Sequence, residues 1–175
     1  MIKLFRCKIC GDGYIGVEPP GRCPFCGAED KWIVEAKLAD VTFDVELTPV
    51  EKANAEKALG LEVGNSSFYF CAARETDDAE GKILFKALAK VENEHATIWK
   101  KLLKLEKVPE ANEPCHTHNL KNLEEAHARE ERAIKFYRQA LAQSTNPRLK
   151  QILAALVQVE TDHLQLHEQR MASKV

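Results

Sequence analysis

The feature that most constrains this chain is an internal repeat. Read without gaps at an offset of 68 residues, Glu62 falls on Glu130, Phe68-Tyr69 on Phe136-Tyr137, and Ala72 on Ala140. Further along, Lys82 falls on Lys150, Ala87-Leu88 on Ala155-Leu156, and Val91 on Val159. The segment Glu92-Asn93-Glu94-His95 falls on Glu160-Thr161-Asp162-His163. Self-similarity at a fixed offset marks a duplicated structural unit, and each unit here carries one Glu followed by a Glu-x-x-His.

Each unit reads as a helical hairpin. Thr48-Pro49-Val50-Glu51 is a capping box with Pro at the first helical position, which predicts a first helix running to about Glu75. Asp77 or Asp78 caps a second helix over about Ala79 to Glu106, stopped before Pro109. A long loop over residues 107–118 leads to a third helix over about Asn119 to Gln143. Asn146-Pro147 then opens a fourth helix that reaches about Ala172. Two tight turns make two hairpins and one long connection joins them, the plan of a four-helix bundle.

The duplicated acids interrupt apolar stripes. Leu84, Leu88, Val91, Ile98 and Leu102 share a face with His95, and Leu153, Leu156, Val159 and Leu166 share one with His163. The midpoint of positions 62 and 92 is 77, and that of 130 and 160 is 145; both lie in turns. In an antiparallel hairpin, residues equidistant from the turn are level. The two pairs are therefore each about 22 Å from their turn at 1.5 Å per residue. Each His sits one helical turn beyond its Glu on the same face. Buried carboxylates are costly unless compensated. Four of them (Glu62, Glu92, Glu130, Glu160) balance two divalent cations, and with His95 and His163 they form an oxygen-and-imidazole set that suits iron, with manganese as an alternative.

Residues 1–36 lack helical periodicity and are rich in Gly, Pro and Cys. A segment this short needs a staple to fold. Four of the six cysteines supply one: Cys7/Cys10 and Cys23/Cys26 place two thiolate pairs on tight turns, a tetrahedral set for a single iron or for zinc. Residues 37–47 read as a strand or extended linker around Val41-Thr42-Phe43-Asp44-Val45. Cys71 reads as a small buried hydrophobe. Cys115, His116 and His118 read as loop residues with at most adventitious metal binding, and His167 as a residue near the helix end or surface.

Charge excludes other classes. With 25 Lys and Arg against 27 Asp and Glu, the net charge is -2, and no basic segment suits nucleic acid or an anionic membrane. No apolar run is long enough to cross a membrane. The N-terminus lacks a signal-like apolar stretch, so a cytoplasmic location is expected.

The run Cys7-x-x-Cys10-Gly11-x-Gly13-Tyr14-x-Gly16, followed by Pro19-Pro20-x-x-Cys23-Pro24-x-Cys26-Gly27-Ala28, resembles the rubredoxin-like domain of rubrerythrins. The helical part, with Glu62, Tyr69, Glu92-x-x-His95, Glu130 and Glu160-x-x-His163, resembles their ferritin-like bundle. The module order is that of the reverse rubrerythrins. The resemblance implies a mostly α fold: a rubredoxin-like domain over 1–36, a linker over 37–47, and a ferritin-like di-iron bundle over 48–172.

It also implies a non-haem peroxidase, or oxidase, linked indirectly to NAD(P)H. Hydrogen peroxide or O₂ would be reduced at a di-iron centre (Mn or Zn in substitution), with electrons relayed by a mononuclear Fe(Cys)4 centre (Zn the alternative). The external donor would be a rubredoxin or its reductase. Tyr69 and Tyr137 are expected as hydrogen-bond donors to the carboxylates. Rubrerythrins usually carry a second Glu three residues after the third-helix Glu; here Ala133 stands there, with His127 as a candidate substitute. Six ligands in two-fold arrangement also fit a ferroxidase, an iron-handling alternative. The long bundle and linker lead us to expect two centres far apart within a chain, and electron transfer between subunits of a homodimer, domain-swapped in one form.

Overall fold

A computed structural model describes residues 1–173. Three short strands, β1 (Lys3–Cys7), β2 (Gly13–Gly16) and β3 (Ile33–Glu35), form an antiparallel sheet in the order β2-β1-β3. Phe5 pairs with Tyr14 on one side and with Glu35 on the other. Two short 3-10 turns flank β3, at Asp30–Trp32 and Ala36–Leu38. Four long helices follow: α1 (Pro49–Glu75), α2 (Ala79–Leu102), α3 (Asn119–Gln143) and α4 (Pro147–Ala172). They form the four-helix bundle expected from the repeat, of the ferritin-like kind that the resemblance implies, α1 lying along α2 and α3 along α4.

The caps are those the sequence predicts. The Thr48 hydroxyl accepts from the Glu51 N–H (3.2 Å), while Glu51 accepts from the Thr48 N–H (2.9 Å). Asp78 caps α2 through the Gly81 N–H, and Asn146 caps α4 through the Arg148 and Leu149 N–H groups. Glu51 does more than cap. Its other oxygen accepts from the Ser144 hydroxyl and from the Thr145 and Asn146 N–H groups, so the start of α1 is pinned to the α3–α4 turn. The repeat reproduces the pin with other chemistry: Asn119, at the start of α3, accepts from the Thr76 hydroxyl and donates its N–H to Asp77 in the α1–α2 turn.

Two expectations are corrected and one is narrowed. First, α2 ends at Leu102 rather than Glu106. Lys104 takes a left-handed φ of 55°, and the N–H groups of Lys104 and Leu105 return to the carbonyls of Lys101 and Lys100. This is a Schellman stop, normally signalled by Gly, here made by a lysine. Second, of the strand or extended linker expected around residues 41–45, it is the linker that forms. It lies against both parts of the protein. The Phe43 ring packs on Gly11, beneath the cations of Lys101 and Arg148, and Arg148 donates to the Thr42 carbonyl.

Third, Cys71 and Cys115 form a disulfide, with Cα atoms 5.8 Å apart. Cys71 is therefore no isolated apolar residue, and Cys115 is not a ligand beside His116 and His118. The bridge fastens the connection between hairpins onto α1, where Ser67 also donates to the Ala111 carbonyl, while Arg129 of α3 pairs with Glu113.

The apolar residues of the sheet module and of the adjoining half of the bundle form one continuous core, from Phe5, Ile9 and Ile33 through Ala96 and Trp99 to Leu149 and Leu156.

Candidate metal centres

Six predicted residues meet at the middle of the bundle. Glu62 comes from α1, Glu92 and His95 from α2, Glu130 from α3, and Glu160 and His163 from α4; all are buried. Glu92 turns Oε2 toward His95 Nδ1 (3.3 Å) and Oε1 toward His163 Nδ1 (3.1 Å). Glu160 does the same, with Oε1 3.1 Å from His95 Nδ1 and Oε2 3.0 Å from His163 Nδ1. Glu62 lies 3.7 Å from His95 Nδ1, and Glu130 lies 3.9 Å from His163 Nδ1.

The ligand atoms fall into two groups, Glu62-Glu92-His95-Glu160 and Glu92-Glu130-Glu160-His163, each within 4.8 Å. Glu92 and Glu160 belong to both. Two cations could be held there, with Glu92 and Glu160 serving both positions and one Glu and one His completing each.

The donors fit such ions. Both oxygens of Glu92 and Glu160, one oxygen each of Glu62 and Glu130, and Nδ1 of both histidines are buried with no hydrogen-bond partner among the described residues. Polar atoms left so in a protein interior need a partner, and acceptors in this number and arrangement suit a cation. Burial pushes the carboxyls of Glu62 and Glu130 well above the usual range, and the charges of Glu92 and Glu160 add to it. Burial also opposes ionisation of Glu92, yet His163 and His95 hold that carboxyl well below the usual range. Burial alone would keep both imidazoles neutral; the surrounding carboxylates drive them well up. The cluster thus lacks positive charge, which two divalent cations would supply.

Tyr69 and Tyr137 do reach the carboxylates, and the structure shows that they reach across hairpins. Tyr69 donates to Glu130 and Tyr137 to Glu62. Burial and the adjacent carboxylate raise both phenols well above their ordinary value, so both remain donors. His127 does not substitute for the missing third-helix Glu. It leans toward Glu168 (3.4 Å) and Glu131 (3.9 Å) near the surface, outside the cluster, and Ala133 is buried core.

His167 is corrected from the helix end to the interior. It has no exposed surface, and its Nε2 lies 3.2 Å from the Tyr69 hydroxyl. Burial, with His163 adding to it, pushes its imidazole down to about 3. The signal was in the repeat: position 167 falls on Trp99, a core residue that donates to Tyr137 at the same distance.

The four-cysteine module is the second candidate centre. Cys7, Cys10, Cys23 and Cys26 are buried together. Sγ separations of 3.8 Å for Cys7–Cys26 and for Cys10–Cys23 match the edge of a tetrahedron with metal–sulfur bonds of about 2.3 Å. Gly11 and Gly27, following each pair, take left-handed φ of 88° and 74°, which closes the knuckles as only glycine does without strain.

The two centres are not far apart, contrary to expectation. His95 Nε2 lies 2.9 Å from the carbonyl oxygen of Cys26. One residue thus joins a candidate ligand of the bundle, through Nδ1, to the backbone of a candidate ligand of the knuckle. The module lies along α2 and α4: a Cβ on Gly27 would come within 2.9 Å of Val159, Lys101 donates to the Cys10 carbonyl, Arg148 donates to the Lys8 and Ile9 carbonyls, and Arg22 pairs with Asp162.

A four-helix carboxylate bundle joined to a four-cysteine knuckle defines the class of this protein. A family model for rubrerythrin matches residues 54–171, and the chain belongs to the rubrerythrin family. It is 31% identical over 113 residues to reverse rubrerythrin-1 of Clostridium acetobutylicum, a match covering 58% of this chain and 62% of that protein. No solved structure matches. No helix among the described residues is long and apolar enough to cross a membrane.

Proposed function

We infer that the protein is an electron-fed reductase of hydrogen peroxide, with O₂ as the second oxidant, serving oxidative-stress defence in the cytoplasm. The overall reaction is H₂O₂ + 2e⁻ + 2H⁺ → 2 H₂O. Glu62, Glu92, His95, Glu130, Glu160 and His163 hold a di-iron pair, and the four cysteines hold a single iron. A ferrous pair held there would supply two electrons and Lewis-acid polarisation of the oxidant. The chain's own residues do the rest. Glu92 and Glu160 fix the spacing of the two positions, and Tyr69 and Tyr137 orient the outer carboxylates by donating hydrogen bonds. The packed core excludes bulk water. The observation that carries the reading is the 2.9 Å contact between His95 and the Cys26 carbonyl, which supports electron return from the knuckle within one chain. The external donor is a rubredoxin or a reductase that draws on NAD(P)H.

A ferroxidase reading has one observation in its favour. Ala133 in place of a further carboxylate leaves a two-fold six-ligand set. Stopped-flow mixing separates the two. The reduced protein is expected to oxidise much faster with H₂O₂ than with O₂, and reduced knuckle iron to re-oxidise in step with the bundle. Equal or inverted rates, with a knuckle that stays silent or holds zinc, would favour the ferroxidase.

A further inference from the structure

The bundle's pseudo-two-fold symmetry is broken at one pair of positions touching the site. Trp99 and Tyr137 stack with ring centroids 6.0 Å apart, and the indole N–H donates to the phenol oxygen at 3.2 Å. At the equivalent place in the other half, His167 stacks on Tyr69 at 6.1 Å, with Nε2 3.2 Å from the phenol oxygen. Position, ring packing and distance are reproduced; hydrogen-bonding capacity is not.

An indole N–H only donates. Since Trp99 already donates to the Tyr137 oxygen, the hydroxyl hydrogen of Tyr137 has one acceptor, Glu62. A neutral imidazole nitrogen donates in one tautomer and accepts in the other. Tyr69 therefore has two acceptors in reach, Glu130 and His167. The tautomer of a buried His is ordinarily fixed by a partner on its other nitrogen. Here Nδ1 of His167 is buried with no hydrogen-bond partner among the described residues, so nothing on that nitrogen fixes it, while Nε2 faces the Tyr69 hydroxyl and, at 3.7 Å, Glu130 Oε1. The switch needs no change of charge, only a change in which nitrogen carries hydrogen. The surroundings break symmetry the same way. His95 is clamped by the Cys26 carbonyl and has no exposed side-chain surface, whereas the His163 side chain keeps 10% exposure.

We propose that His167 is a positioning residue that makes the two metal positions unequal: it gives Tyr69 an alternative to Glu130, so Glu130 is the carboxylate that lets go, and the Glu130–His163 position admits a small exogenous ligand such as peroxide. The Glu62–His95 position stays closed against the knuckle. This deepens the dinuclear reading above and rests on it.

Azide, a small anionic probe, tests it on the iron-loaded protein by its visible absorption. The unaltered protein is expected to bind one azide per iron pair. His167→Phe, which keeps the ring and removes the second acceptor, is expected to weaken azide binding about tenfold, the worth of one hydrogen bond, at unchanged iron content. His167→Gln, which both donates and accepts, is expected to restore affinity to within about threefold. A fully loaded His167→Phe protein with unaltered azide affinity would overturn the proposal alone. So would two equivalent azides on the unaltered protein, a result that needs no variant. An unaltered bundle that holds no iron pair would remove the dinuclear reading and this one with it.

Discussion

At the scale of single residues, the centre is a problem in charge. Four carboxylates and two imidazoles occupy a space from which water is excluded, and the opposed shifts of Glu92 and of Glu62 and Glu130 show how poorly the residues satisfy one another. Glu92 and Glu160 each face both ion positions, so removing either affects both. Glu92→Ala or Glu160→Ala is expected to lose the bundle metal while leaving the thiolate-to-metal absorption of the knuckle intact. Metal analysis beside the visible spectrum checks this, and loss of both signals together would count against two separate centres. The six ligands were legible because the duplication repeats chemistry as well as pattern. His167 was not, because a His one turn beyond a ligand near a chain end is ordinarily solvated. Only comparison with Trp99 shows that its position is core.

At the scale of elements, the pins between hairpins carry the arrangement. Burial alone would push the Glu51 carboxyl up, but the N–H groups of Asn146, Thr48 and Thr145 hold it well below the usual range. A carboxyl depressed on folding contributes stability above its unfolded value of about 4.3, and that contribution is lost as the pH falls through the folded value. Glu51→Gln is therefore expected to cost roughly 1–3 kcal/mol near neutral pH, with the gap from the unaltered protein closing in acid. Urea unfolding at two pH values measures it; an equal gap at both would contradict the assignment. The Cys71–Cys115 bridge acts near the other end of α1. It spans 44 residues, so on the chain-entropy account its loss costs about 4 kcal/mol. Cys71→Ser is expected to lower stability and to expose residues 107–113 to proteolysis; an unchanged unfolding midpoint would show that the other loop contacts suffice. Spacing alone did not suggest this pairing, because two lone cysteines in different elements carry no shared pattern. Nor does the sequence mark the end of α2, where Lys104 takes a conformation usually left to Gly.

At the scale of the whole molecule, the bundle could be drawn from the repeat, down to which residues are level, because helical rise and antiparallel pairing convert sequence distance into height. The placement of the knuckle could not. A short linker allows many positions, and what selects one is a set of single contacts: Phe43 on Gly11, Arg148 on two carbonyls, Gly27 against Val159 and His95 beneath Cys26. None of these has a periodicity to read. Together they turn two modules into a single body in which both centres share a side chain and a backbone. The measurement that tests this most directly is anomalous X-ray scattering at the iron edge from crystals of the iron-loaded protein. The account predicts three iron peaks for each chain, two between Glu92 and Glu160 and the third among Cys7, Cys10, Cys23 and Cys26 of the same chain. Density at the cysteines alone, with the glutamates and histidines bonded to one another and no iron between them, would contradict it.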